Sequence, residues 1–595
     1  MGLNTTIPKN NKSKIALVFL FVLMTLVCLF YYPKWEKNGM SGVITYDIAG
    51  YYMYLPATFI YHDLKYFSFE DSLKKPPINI ETNMGRVQEN GSYVIQYTCG
   101  MALQYLPFFA VANAWAKASP TYKTNGFSLP YQFMLYFGSL LIAFIGLYYL
   151  RKVLLLYFSD TITTLVLISL GIGTNYLVYA TINGPMTHNY LFTNYCILIW
   201  LAIKYFKTPR YRYLIPMAIL VGLAILTRPT EALVLLPIMF WGIQGTFIEG
   251  IKNRLQFFTH HKVHLLFFFA ILFVINSIQL FYWKYLTGNW FVYSYGDQGF
   301  DWLSPYVYKG LFSTQVGWLV YSPIMIFSLI GFRPFIKQDR AMGMLLLTYI
   351  LLFMYVCFSW KIWWYGGSLG QRAMIQSYPF LAFPMAYFYQ SLLKRSWISK
   401  TIVTGLIMVM LYLSLWYAHM AHRGGMLVPP TVTTAYLTKL IGRWHREKND
   451  LKLLETNEEF LDKPYNAELL CNQFYDPPVE INSNIHLFEA ATIDTFITDK
   501  KWLRFGAKLF AKDKEWTNWK ETQMIVNFTD NDRSVKSRFI RVHKLMDFGI
   551  DNEIFIDVKF PNKKYDKIHL QFLQIGDGKP TTIKQVYVYA YNEEN

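Results

Sequence analysis

Long apolar runs separated by short polar stretches recur through the first 420 or so residues, at 15–32, 131–150, 161–180, 190–203, 213–227, 232–248, 265–283, 316–332, 341–360, 373–393 and 402–420. A helix of about 20 apolar residues crosses the roughly 30 Å hydrocarbon core of a bilayer, so these runs predict about eleven spanning helices. Two segments between them, 51–62 and 101–117, are shorter and mix aromatic, small and polar residues, the pattern of helices lying along a membrane surface. From 63 to 100 the chain is polar, with Pro76-Pro77 and Asn90-Gly91 as turn signals, and a ligand-facing loop is expected there. Past residue 423 the periodicity changes. Residues 432–465 hold apolar positions at helical spacing, and 539–542, 554–560, 567–573 and 583–590 are short β-rich runs, several of them alternating. The pattern predicts an all-α polytopic membrane domain over 1–422, a helical connector over 423–465 and a jelly-roll-like β-sandwich domain over 466–595.

Composition agrees with a membrane assignment. Of 595 residues 53% are apolar and only 16% charged, against about 25% charged in an ordinary soluble domain. Lysines and arginines collect in alternate connections: Lys9, Lys12 and Lys14, then Arg151 and Lys152, then 204–212, 252–262, 333–340 and 394–400. By the positive-inside rule these face the cytoplasm. The chain is therefore expected in the cell (inner) membrane with a cytoplasmic N-terminus. An odd number of spans places the 33–130 loop and everything after 419 on the extracytoplasmic, periplasmic side. The net charge of +18 follows from inner loops facing anionic headgroups, and no nucleic-acid partner is implied. The first apolar run is long for a signal peptide and has no small-x-small cleavage site directly after it. Five cysteines fall mostly in spans with no CxxC pair; only Cys99 and Cys471 would share the outer compartment, which leaves a bridge between them open.

Against that background a few polar residues stand out. Thr45-Tyr46-Asp47-Ile48-Ala49-Gly50-Tyr51-Tyr52 places one carboxylate just past the first span, at the head of an aromatic segment. Asp47 is either a general base or the N-cap of the helix after it. Arg372 closes Lys361-Ile362-Trp363-Trp364-Tyr365-Gly366-Gly367-Ser368-Leu369-Gly370-Gln371-Arg372. Its guanidinium suits bidentate phosphate binding, its glycines allow close backbone approach, and Trp364 and Tyr365 offer faces for a sugar; an interfacial aromatic belt with a snorkelling arginine is the alternative. Arg228 is a second candidate for phosphate, although Glu231, three residues on, is spaced to pair with it across one helical turn. Lys65 and Arg86 in the first loop are further phosphate candidates or solvated surface cations. In Asn183-Gly184-Pro185-Met186-Thr187-His188, both Asn183 and His188 are able to hydrogen-bond a sugar or to cap the next span. Tyr51 adds a ring beside Asp47. The aromatic connection around 290–302 fits sugar stacking and membrane interface equally well. The first loop holds no DxD, and the chain has no HExxH and no GxxxxGK[ST], so neither a metal nor another cofactor is expected and the energy for any transfer would come from the donor.

Taken in order along the chain, these motifs resemble the GT-C superfamily of integral membrane glycosyltransferases, which includes protein O-mannosyltransferases and the aminoarabinose transferases of lipid A. The resemblance covers roughly residues 15–420. Asp47 matches the acid that opens the first outer loop of that superfamily, and 363–372 is similar to the WWxGxSxGxR-like outer-loop motif of many bacterial members. Ile48 stands where many members carry a second acid, and Pro185-Met186-Thr187-His188 lacks their further acid at the fourth span. The resemblance implies a polyprenyl-phosphate sugar donor, a glycan, lipid or protein acceptor, and inverting displacement at the anomeric carbon. It further implies Asp47 as the base, with Arg372 and Arg228 on the departing phosphate. Two other readings are a transporter or flippase of lipid-linked sugars, expected to carry mid-span charges and paired broken helices, and a non-catalytic glycan-binding membrane protein.

Overall fold

A computed structural model describes residues 11–76, 78–80, 84–427, 431–458, 463–494, 499–515 and 517–593; Lys9 and Pro77, named above, lie outside them. The chain divides into two compact units, Met1–Arg423 and Gly424–Asn595.

The first unit is helical. It opens with α1 (Lys12–Leu26), then α2 (Tyr46–Tyr52) and α3 (Tyr54–Phe59), followed by a small antiparallel hairpin of β1 (Gly85–Val87) and β2 (Tyr93–Ile95). Among the described residues five helical stretches are long and apolar enough to cross a bilayer: Lys12–Glu36, Leu129–Leu154, Lys262–Thr287, Arg340–Ser359 and Trp397–Ala421. On the Lys262–Thr287 helix Leu266, Phe273, Val274 and Phe281 all point outward. Apolar faces of this extent are not left in water, and hydrocarbon is the medium that accepts them. This is a membrane protein.

The remaining apolar runs are interrupted or shorter. The 161–180 run becomes Asp160–Ile172 and Tyr176–Ala180, and 232–248 begins as a 3-10 turn at Pro229–Val234. The 316–332 run breaks at Ser322-Pro323, and 373–393 opens as the 3-10 turn Arg372–Ser377 before the Tyr378–Leu392 helix. Broken helices free backbone groups that neighbours must satisfy. Here Asn175 N–H donates to Ser322 Oγ at 3.0 Å, and Tyr378 donates its hydroxyl to Asn175 Oδ1 at 2.7 Å.

The two segments read as surface helices differ from each other. Gly100–Ala118 is a helix with Val111 and Trp115 exposed. In contrast, α2 and α3 are buried from Ile48 to Ala57, packed beneath the polar loop instead of lying open. Most of 252–262, read as an inner loop, belongs to an amphipathic helix (Phe247–His260) begun by a complete Thr246/Glu249 capping box.

Among its described residues the second unit carries a short helix, Thr434–Leu440, and eight strands: β3 (Pro464–Ile481), β4 (Leu487–Asp494), β5 (Trp502–Phe510), β6 (Gln523–Asp530), β7 (Arg533–Arg541), β8 (Asp551–Lys559), β9 (Lys567–Leu573) and β10 (Thr581–Glu593). They form two antiparallel sheets ordered β3-β10-β5-β8 and β4-β9-β6-β7, the strand order of a double-sheet jelly roll. Alternation drives the packing. Leu503, Phe505 and Ala507 from β5 and Val586 and Val588 from β10 turn inward, as do Met524, Val526 and Phe528 from β6. All five cysteines are free thiols.

Candidate active site

The backbone entering α2 is fixed before Asp47 is reached. Gln132 Oε1, buried on the Leu129–Leu154 helix, accepts from both Val43 N–H (2.8 Å) and Ile44 N–H (3.0 Å). Thr45, the residue before the helix, points its hydroxyl back to Gly42 O. Tyr46 then takes a left-handed backbone with φ of 48°, an outlier for a bulky residue. Asp47 follows in the first turn of α2, and its carboxylate caps nothing. Oδ1 accepts from the Tyr97 hydroxyl at 2.9 Å, and Oδ2 accepts from Arg372 Nη2 at 2.5 Å.

Tyr97 reaches Asp47 because Gly50 leaves room for it. A Cβ at Gly50 would fall 2.6 Å from the Tyr97 ring, a separation no side chain tolerates. Tyr51 stacks on Tyr97 with centroids 4.2 Å apart, and Tyr295 meets it edge-on at 6.1 Å. The connection that carries Tyr295 is tied in place by Ser294 Oγ donating to Gln96 O (2.6 Å) and by Lys361 N–H donating to Gly299 O (2.9 Å).

Arg372 sits at the end of a tightly braced loop. Gln371 Nε2 donates to Trp363 O at 2.7 Å, Ser368 Oγ to Gly370 O at 2.8 Å, and Asn175 Nδ2 to Leu369 O at 3.2 Å. Gly366 and Gly370 adopt φ of 67° and 64°, conformations that favour glycine. Tyr365 does the same at 51° with a full side chain. The Asp47–Arg372 pair keeps side-chain exposures of 21% and 16%, so it is neither solvated nor sealed. Arg372 Nε is buried with no hydrogen-bond partner among the described residues. One face of the guanidinium therefore has donor capacity beyond the carboxylate.

Arg228 lies over the Tyr365 ring, its Cζ 5.7 Å from the centroid. Among the described residues it forms no ion pair with Glu231, contrary to the pairing their spacing predicts. Glu231, 1% exposed, is held instead by the Tyr195 hydroxyl on Oε2 and by Gln376 Nε2 on Oε1 at 2.9 Å. His188 Nδ1 lies 3.0 Å from Gln376 Oε1, which makes a buried polar chain from His188 to Tyr195. Arg228, Arg372, Asp47 and Tyr295 all lie within electrostatic reach of the Tyr51 hydroxyl, and both arginines within reach of His188.

Asp47, Tyr51, His188, Arg228, Tyr365 and Arg372 thus gather in one region. The others are engaged elsewhere. Lys65 lies over the Tyr66 and Tyr285 rings at 5.2 and 5.9 Å. Arg86 rests its guanidinium on Gly296, next to Tyr295. Asn183 Oδ1 accepts from Lys34 Nζ at 3.4 Å, and Trp364 packs edge-on against Trp363 at 6.0 Å. Sequence reasoning missed Tyr97, Gln376 and Tyr195, which belong to no motif. A cavity of only about 10 Å³, room for a single water, is lined by Ala49, Gly50 and Met53 among others, without Asp47 or Arg372.

No family model and no curated protein matches this chain. Among solved structures it is similar to the crystal structure of the Archaeoglobus fulgidus oligosaccharyltransferase in the apo form, at 11% identity over 77% of this chain, with a TM-score of 0.42. The chain spans 62% of the length of that oligosaccharyltransferase. A second similarity, to the infectious bursal disease virus VP2 subviral particle, has 16% identity over 22% of this chain and 30% of that one, with a TM-score of 0.14. Both TM-scores are too low to carry an argument about fold or chemistry.

Proposed function

We propose that this chain is an integral membrane glycosyltransferase of GT-C type, which moves a sugar from a polyprenyl-phosphate carrier to an envelope acceptor on the outer face of the membrane. The observation that carries the reading is the meeting of Asp47 and Arg372 across 325 positions of sequence. An acid and a guanidinium in one half-buried site meet the two needs of glycosyl transfer, a proton acceptor and a counter-charge for the leaving group.

In the ligand-free site the two satisfy each other. A donor phosphate competes for Arg372, because guanidinium binds phosphate oxygens bidentately. Its arrival releases Asp47 Oδ2 to accept a hydrogen bond from the acceptor hydroxyl. That hydroxyl oxygen attacks the anomeric carbon from the face opposite the phosphate, its proton passes to Asp47, and the carbon–oxygen bond to phosphate breaks with inversion. The bonding pair leaves on the phosphate, where Arg372 and Arg228 balance the charge. Tyr97 holds Oδ1 throughout, and Tyr51 and Tyr365 supply ring faces to the sugar. The topology that goes with this reading has about eleven spans, a cytoplasmic N-terminus and an extracytoplasmic C-terminal unit. No resident cofactor enters the scheme.

The test is a comparison of envelope glycans, by mass spectrometry, between a strain lacking the gene and its parent. Loss of a single sugar residue, restored by the wild-type gene, is the expected result. Identical glycans in the two strains would overturn the proposal.

A further inference from the structure

The outer face of the β3-β10-β5-β8 sheet carries an open groove of about 570 Å³. Strand alternation assembles it. With Val586, Val588 and Ala590 facing the core, Gln585, Tyr587 and Tyr589 of β10 share the opposite face. In register they lie against Lys508, Gly506 and Arg504 of β5, and Lys508 and Arg504 in turn lie against Glu553 and Asp557 of β8.

Gly506 sets the shape of this face. A Cβ there would fall 2.0 Å from Tyr587 Cζ, so the Tyr587 ring lies down across β5 and donates its hydroxyl to Glu553 Oε1 at 2.7 Å. Tyr589 follows with its ring centroid 5.5 Å away at 57°. The result is a floor of phenol rings bordered by an amide, a carboxylate and an ammonium.

The charges of the groove cancel. Asp557 takes Arg504 in a two-point pair, at 2.8 and 3.1 Å, and Glu553 offsets Lys508. A phosphate or nucleotide therefore finds no net positive field there. A peptide adding as a strand needs an open sheet edge, whereas β10 and β5 are both interior strands. The ligand that suits flat aromatic faces with donors and acceptors around them is one with apolar C–H faces and many hydroxyls.

We propose that this groove is a binding site for a neutral oligosaccharide, stacked on Tyr587 and Tyr589 and hydrogen-bonded by Gln585, Glu553 and Lys508. The site is built from residues of the second unit alone and does not rest on the transfer reading. The test uses the full-length protein in detergent, with immobilised hexasaccharides of glucose, mannose, galactose and xylose as probes in biolayer interferometry. Saturable binding to at least one of the four is expected, weakened about 10-fold or more by Tyr587→Ala. Gln585→Ala, which removes an amide from a half-exposed position, is expected to weaken it in the same direction with the fold intact. Asp47→Asn is expected to bind like the wild type, which separates failure of this site from failure of transfer. Absence of binding to all four probes, or binding that neither groove variant weakens, would overturn the proposal.

Discussion

Asp47→Asn removes the proposed base while leaving its surroundings nearly unchanged. The amide is isosteric with the carboxylate. It keeps one oxygen towards Arg372 Nη2 and turns its N–H to Tyr97, whose hydroxyl reverses from donor to acceptor. Arg372 loses a counter-ion in a site where the two side chains are 16% and 21% exposed, at a cost of about 1–3 kcal/mol. A chain with so many packed helices tolerates that loss. Catalysis does not: general-base assistance contributes about 10²–10⁴-fold, or about 3–5 kcal/mol in the barrier. The assay is complementation of the deletion strain, with the missing glycan quantified by mass spectrometry and membrane abundance by immunoblot. The variant is expected at wild-type abundance with the glycan absent or nearly so. Full restoration of the glycan by Asp47→Asn at equal abundance would refute the assignment, and would leave the Asp47–Arg372 pair as a structural clamp.

Gly50→Ala tests the route by which Tyr97 reaches Asp47: the new Cβ collides with the ring, and a displacement near 1 Å is expected to lower transfer about 100-fold. Gly405→Ala, where a Cβ meets nothing within 4 Å, serves as the control, and equal activity of the two variants would count against the positioning argument. The jelly roll makes a separate prediction about pH. Burial raises the Glu521 carboxyl from its ordinary 4.5 to about 7, and burial lowers the His543 imidazole from 6.5 to about 4. The Glu521 contribution is complete below pH 4.5 and is lost as pH rises through 7, whereas that of His543 is complete above 6.5 and is lost as pH falls through 4; each amounts to about 3 kcal/mol. The two offset each other between about pH 4.5 and 6.5. Glu521→Gln is expected to uncover the acid loss, which calorimetry of the full chain would show as a transition temperature falling steadily below pH 6.5. A pH profile parallel to the wild type would contradict it.

How much of this was legible in the sequence depends on the kind of signal each element leaves. The strands β7 to β10 alternate and sit between turn residues, so period-two reading finds them. In β3 the stretch Pro464–Ile481 has polar and apolar residues exposed side by side, and its register against β10 shifts three times. Each shift reverses the phase of the alternation, and no single pattern survives. The Phe247–His260 helix escaped because its basic residues mark a loop under the positive-inside rule, although Thr246 and Glu249 form a capping box readable in the sequence. For the site, Asp47 and Arg372 were legible because each is a charged residue beside a long apolar run, where charge is costly. Tyr97 was not: in a chain with 46 tyrosines one more ring in a polar loop carries no local signal, and its role comes from contact with Gly50, 47 positions earlier. Arg228 and Glu231 were paired by helical spacing, but Arg228 has extended backbone (φ −151°, ψ 118°) and precedes the 3-10 turn Pro229–Val234, so the two do not stand one helical turn apart and stay within electrostatic reach without a direct ion pair.

The interruptions that hydropathy cannot see also position the guanidinium. Continuous hydrophobicity over 161–180, 316–332 and 373–393 predicts straight spans, yet Asn175, Ser322 and Tyr378 meet where those runs break, joined by hydrogen bonds of 3.0 and 2.7 Å. Such a polar knot among apolar residues stabilises only if its groups are satisfied, and a second arm of Asn175 reaches Leu369 O, three residues before Arg372. Unwinding 372–377 into a 3-10 turn is what lets the Arg372 side chain leave the helix bundle and meet Asp47. Were 373–393 a regular helix from its first residue, the loop from Trp363 to Gln371 would lose this anchor, and the guanidinium would be free to turn with the helix away from the carboxylate. The hydropathy of these segments thus records that they lie among apolar neighbours, whereas their few buried amides and hydroxyls determine where the chain departs from a helix and so where the charged pair assembles.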